Sequence, residues 1–257
     1  MEEPERKRRA QASNEVKIAL GLIAFLSFVI PFVLYELGTA TWIENVVQDR
    51  YAIAVMQTVP FGAMFVCLVL VPSIDLADRW RVAPLKWIST FISLASVLFI
   101  HYLIIYSGPK FTLHLALRVV GYLAVAVLTP LAIFSAFVEI PFIRAYLILD
   151  SVGGPKFVNR GTHALVRYPL AIWYPGILVG VTLASTRWVA LLVSPVLILT
   201  YLAYCWLQDR YVYPTEAPDD HLKYVATTPM LVPNKDSWRR AWDTLPEVIR
   251  EVTATLR

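Results

Sequence analysis

Charge is scarce in this sequence. Asp, Glu, Lys and Arg make up 16% of its 257 residues and apolar types 58%, where a soluble domain of this length carries roughly a quarter charged residues. Cysteine is nearly missing: Cys67 and Cys205 both lie in apolar runs. Without a C-x-x-C spacing there is no thiolate metal site, and two buried thiols are the expectation. The four histidines, His101, His114, His163 and His221, show no i, i+4 pair and no Glu-x-x-His pattern, which argues against a metal or haem protein. Also absent are a phosphate-cradling glycine loop, a Ser/His/Asp set and internal repeats of spans. No charge lies deep in an apolar block, which argues against an ion-coupled transporter or channel.

What is present is long apolar blocks of about twenty residues, the length of a bilayer span. They predict an all-α, polytopic membrane bundle of about six transmembrane helices, ending in a short helical hairpin and a cytosolic tail. The expected spans are Ile18 to Tyr35, Tyr51 to Val71, Trp87 to Tyr106, a fourth from Leu115, Pro169 to Ala184, and Trp188 to Leu207. The fourth apolar block runs on to Leu149. Its spanning part is bracketed by Arg118 and Glu139, read as headgroup-level, and the remainder leaves the bilayer after a break at Pro141. The last two spans are joined only by Ser185, Thr186 and Arg187, so they must pair antiparallel.

Arg6, Lys7, Arg8, Arg9 and Lys17 precede the first span. Their charge resembles the start of a signal peptide, but the span that follows is too long for an h-region, so a retained cytosolic tail is expected. Arg79, Arg81 and Lys86 fall in the second loop and Lys156, Arg160 and Arg167 in the fourth. The odd loops hold single basic residues, so both termini are expected in the cytosol of an integral, multi-pass protein. The net charge of +4 therefore orients the chain and implies no nucleic acid. Membrane lipid is the expected partner; the oligomeric state is not indicated. The resulting division is a tail (1–17), anchor helices (18–110), a membrane core (111–233) and an amphipathic cytosolic helix (234–257). In that last helix Asp236 or Ser237 would cap the first turn and Pro246 would open a second piece.

One stretch organises the rest: Lys156 to Gly176, where a basic loop runs directly into an apolar helix. Pro169 suits the first helical turn. Free amides beyond it, with Arg167 just before, would create a positive corner suited to a carboxylate ligand. Anchoring of Arg167 to phospholipid headgroups is the alternative.

The segment KFVNRGTHALVRYPLAIW resembles the loop of integral-membrane methyltransferases of the isoprenylcysteine carboxyl methyltransferase and phospholipid methyltransferase type. Their usual form is Leu-Val-Thr, then Gly-Pro-Tyr, then Val-Arg-His-Pro-x-Tyr. Val158, Gly161, Val166, Arg167 and Pro169 match; Thr162, His163, Tyr168 and Ala171 depart. Downstream, Asp209-Arg210 stands where that family has two acids, followed by Tyr224 and Pro229-Met-Leu-Val-Pro233. The likeness covers about Leu115 to Pro233, so the membrane core (111–233) is the methyltransferase-like part.

The resemblance implies an S-adenosylmethionine-dependent methyltransferase acting on a lipid-like, isoprenylcysteine-like or small hydrophobic acceptor. Gly161, His163, Val166, Arg167, Tyr168, Pro169 and Tyr224 would shape the cofactor site, and Arg167, Asp209, Arg210 and Glu216 the reacting end. Aromatic rings and carboxylates would suit a cationic cofactor. His163 either replaces the family's histidine or is a solvated loop residue, and Arg210 pairs with Asp209 or Glu216 or holds a different acceptor. The alternative function is a non-catalytic membrane scaffold or binding protein of the same fold with a decayed cofactor site.

Overall fold

The computed structural model describes residues 50–66, 82–140, 157–216 and 218–255. The expected first span, the break at Pro141, Cys67 and the basic residues of the first tail lie outside that set. The described residues are helical: α1 (Arg50–Phe65), α2 (Ala83–Tyr106), α3 (Leu115–Ile133), α4 (Thr162–Leu165), α5 (Leu170–Ser185), α6 (Trp188–Leu207), α7 (Tyr213–Glu216), α8 (Pro218–Thr227) and α9 (Lys235–Thr255). Among them the only extended pairing is an isolated bridge between Lys110 and Arg187.

Among the described residues, three helices are long and apolar enough to cross a membrane: Ala83–Tyr106, Leu115–Val138 and Trp188–Tyr211. Their outer faces bare Phe91, Leu98, Phe99, Val120, Leu123 and Leu199. Such faces are costly in water and cost nothing against lipid tails. α5 is equally apolar but has only 16 residues. At a rise of about 1.5 Å per residue it reaches roughly 24 Å, short of a full hydrocarbon core.

Helix pairing follows from what lipid cannot supply. Apolar side chains gain little by leaving lipid for protein, so close backbone approach and internal hydrogen bonds must hold the helices together. α3 and α5 are packed along their length, and glycines set their separation. A Cβ on Gly121 would lie 2.7 Å from both the Gly180 carbonyl oxygen and the Ala184 nitrogen. Gly176, one turn before Gly180, lets Leu128 approach in the same way. A second core joins α1, α2, α5 and α6 through Val55, Ile104, Leu178, Val189 and Leu197. Inside it Thr182 Oγ1 donates to the Leu178 carbonyl at 2.8 Å and lies 3.0 Å from Ser194 Oγ.

Both long helices beside α5 end in a wider π turn, Phe134–Val138 after α3 and Gln208–Val212 after α6. α5 and α6 form the expected antiparallel hairpin, turned by Thr186 in the left-handed conformation. Two expectations for the last helix are corrected. Its cap is Asn234, whose Oδ1 accepts from the Ser237 amide at 2.8 Å while Ser237 Oγ accepts from the Asn234 amide at 3.0 Å, a reciprocal box. Pro246 opens no second piece, because α9 is continuous through it. It sits on the exposed side, where water can take the carbonyl a proline leaves unbonded.

Candidate functional site

The two π turns, the 157–169 loop and the segment after α6 meet at one end of the bundle. The loop turns at Gly161, whose φ of +57° is natural only for glycine. A Cβ there would also collide with Glu139, 2.0 Å from Oε1. Glu139 is 1% exposed and organises the loop from beneath. Its Oε1 accepts from the Thr162 amide at 2.6 Å, and Oε2 lies 2.8 Å from His163 Nδ1 and within hydrogen-bonding reach of the Thr162 hydroxyl. Ser135, one turn earlier on the same helix face, accepts from Trp173 Nε1 at 3.0 Å and donates to the Leu131 carbonyl at 2.8 Å. This corrects the reading of Glu139 as a headgroup-level charge. It equally corrects His163 as a solvated loop residue, since its ring is buried on that carboxylate.

From the other side the tail clasps the same loop. The Arg167 amide donates to the Pro229 carbonyl at 2.9 Å. Its guanidinium donates to the Thr228 carbonyl and to Asp209 Oδ2, each at 2.8 Å. Tyr224 Oη donates to the His163 carbonyl at 2.9 Å. Thr228 Oγ1 donates to Asn159 Oδ1 at 3.1 Å, and Gly161 donates its amide to Thr244 Oγ1 of α9 at 2.8 Å.

The positive corner at the start of α5 is real but already occupied. The Ala171 and Ile172 amides are taken by the Tyr168 and Pro169 carbonyls at 2.9 Å, and the carboxylate on Arg167 is the chain's own Asp209. Headgroup anchoring of Arg167 is excluded by the same contacts.

Aromatic rings surround this ion pair. Phe157 lies 5.1 Å from Tyr213 and 5.3 Å from Tyr224, centroid to centroid, and Tyr168 stacks on Tyr213 at 6.3 Å. His221 Nε2 stands 3.5 Å from Asp209 Oδ1, the long limit for a hydrogen bond. Burial raises the pKa of the Tyr168 and Tyr224 phenols above the ordinary tyrosine value, so both stay protonated. Two polar atoms in the middle of the assembly are buried without a partner among the described residues: Arg167 Nε and Tyr168 Oη.

Of the residues singled out from the sequence, Gly161, His163, Val166, Arg167, Tyr168, Pro169, Asp209 and Tyr224 come together here. Arg210 does not: it is exposed, while Asp209 on the same turn is taken by Arg167. For Glu216 the backbone alone is described, at the end of α7. Residues missed were Glu139, Ser135, Thr228, Thr244 and His221. The available signal was a serine and an acid four apart at the end of an apolar helix, facing a Gly-Thr-His loop. His101 and His114 stay apart from the site. His101 Nδ1 bonds the Val97 carbonyl and His114 caps α3. No cluster of three or more potential metal ligands occurs among the described residues.

No family model, curated protein or solved structure matches this chain.

Proposed function

We propose that the chain is an integral membrane methyltransferase using S-adenosylmethionine, with the junction of loop and tail as its cofactor site. The observation carrying this reading is the convergence of residues far apart in sequence and resembling one family's motifs. Arg167, Asp209, Tyr224 and Pro229 share one set of contacts. On this reading the chain crosses the bilayer six times with both termini in the cytosol, and a lipid-like acceptor reaches the junction from the membrane.

The residues present suit the cofactor. Arg167 Nε and Tyr168 Oη are buried with no partner among the described residues, and leaving such groups dry and unpaired costs stability. The rings of Phe157, Tyr168, Tyr213 and Tyr224, with Asp209, suit a cationic ligand. S-adenosylmethionine would supply an already activated methyl group. The chain's work is then to bind, align and exclude water. Tyr168 and Tyr213 would hold the cation, Arg167 a carboxylate, and Glu139 the geometry of the loop.

A second reading, a scaffold of the same fold with a decayed site, has one observation in its favour. Arg167 and Asp209 satisfy each other, so the corner is closed as it stands.

Calorimetric titration of the detergent-purified chain with S-adenosylmethionine separates the two. Saturable binding that is weakened at least tenfold in Tyr168→Phe, with the thermal midpoint unchanged, supports the enzyme. Tyr168 Oη has no partner among the described residues, so a loss confined to affinity assigns it to the ligand. Absence of binding by a folded wild-type chain supports the scaffold.

A further inference from the structure

α9 presents a face that the junction does not use. On one side it packs onto α4: Ser237 and Val248 are buried, Thr244 holds the Gly161 amide, and Glu251 bridges Arg160 at 2.6 Å. Next round the helix come Trp238, Trp242 and Ile249, spaced four and seven residues apart and so on one stripe. They are 48%, 65% and 50% exposed. By the same periodicity Lys235, Arg239 and Arg250 flank that stripe, and Asp236, Asp243 and Glu247 fall further round. Packed face, bare aromatic stripe, basic flank and acidic flank therefore follow in order.

That order fits a bilayer boundary. Indole rings favour the headgroup layer, lysine and arginine reach lipid phosphates from beside an apolar stripe, and acids turn to water. The position fits as well. α9 is held on the loop that feeds α5, at the end of the bundle where α6 still bares Trp206.

We propose that α9 lies in the plane of the membrane surface, with Trp238, Trp242 and Ile249 inserted among the headgroups of an anionic bilayer and Lys235, Arg239 and Arg250 on their phosphates. The same helix grips Gly161 and Arg160, so lipid contact on one face steadies the loop on the other. This holds whether or not the junction transfers methyl groups.

The test uses the full chain in nanodiscs made with or without phosphatidylserine, comparing wild type with Trp238→Phe/Trp242→Phe so that the difference in emission isolates the two indoles. Lipids brominated near the headgroup should quench most of that difference, and aqueous acrylamide little of it. Lys235→Gln/Arg239→Gln/Arg250→Gln should lose bromolipid quenching in phosphatidylserine discs. A nitroxide at Ile249→Cys, in a Cys67→Ser/Cys205→Ser background, gives a second reading that keeps both tryptophans, and should meet oxygen more than aqueous nickel chelate. Quenching by acrylamide alone would place the stripe in water and overturn the proposal. Quenching by neither agent would show it covered by protein, a second copy included, and would overturn it equally.

Discussion

The membrane half of this protein and the junction at its end are held together by opposite means. Between α3 and α5 the contacts are small and apolar, and Gly121 and Gly180 bring two backbones together where any side chain would intrude. At the junction the contacts are polar and partly charged: Glu139 takes a loop amide, and the Arg167 guanidinium takes Asp209 and the Thr228 carbonyl of the tail. Lipid offers no hydrophobic gain for helix pairing but leaves helical hydrogen bonds intact, so intimacy of packing is what remains. The loop has the reverse problem, since its turns leave amides and carbonyls that buried side chains must satisfy. A loop fixed this way holds its shape without a core of its own.

The comparison can be broken most forcefully at Glu139. Its replacement by alanine strands the Thr162 amide and the His163 ring, and should cost about 3–5 kcal/mol. Hydrogen exchange should then rise in 159–166 well before it rises in α3 or α5. Uniform loosening would mean that loop and spans are not separable. Gly121→Ala attacks the other half. Its methyl group meets backbone, which cannot swing away, so a loss of about 1–3 kcal/mol is expected in a detergent unfolding series. Gly176→Ala should cost less, because it meets only the tip of Leu128.

Neutralising the half-exposed Arg160–Glu251 pair with glutamines should cost below about 1 kcal/mol, visible as a small shift in thermal midpoint. Smallest at neutral pH is Tyr168→Phe, which removes a hydroxyl with no partner among the described residues. Its effect grows in alkali. The buried phenol keeps its proton while the unfolded one ionises near pH ~10, so stability is full below that pH and falls as pH rises beyond it. A flatter alkaline limb in the variant is the expected signature.

Three of the expected spans were legible in the sequence as long apolar helices, because apolar blocks are local signals. The 157–169 loop was legible as a place, through Arg167 and Pro169 at the mouth of α5. Glu139 was not. Whether an acid at a helix end lies among lipid headgroups or under a folded-back loop depends on residues two dozen positions away. The fate of Arg167 was hidden for the same reason, because its partners Asp209 and Thr228 lie beyond a whole helical hairpin. Pro246 misled in the opposite direction: an exposed turn absorbs a proline that the pattern reads as a stop.

At the far end of the bundle, the chain before α3 and the turn between α5 and α6 are stitched together. The Phe111 amide donates to the Thr186 carbonyl at 2.8 Å and the Trp188 amide to the Pro109 carbonyl at 3.2 Å. The Arg187 guanidinium donates to the Gly108 carbonyl, and the rings of Phe111 and Trp188 sit 5.3 Å apart. Helices riveted at one end can splay only at the other, like the blades of a closed fan. The α5–α6 hairpin is therefore pinned to the chain before α3 at its turn and to the tail at its open end, where Arg167 bonds Asp209.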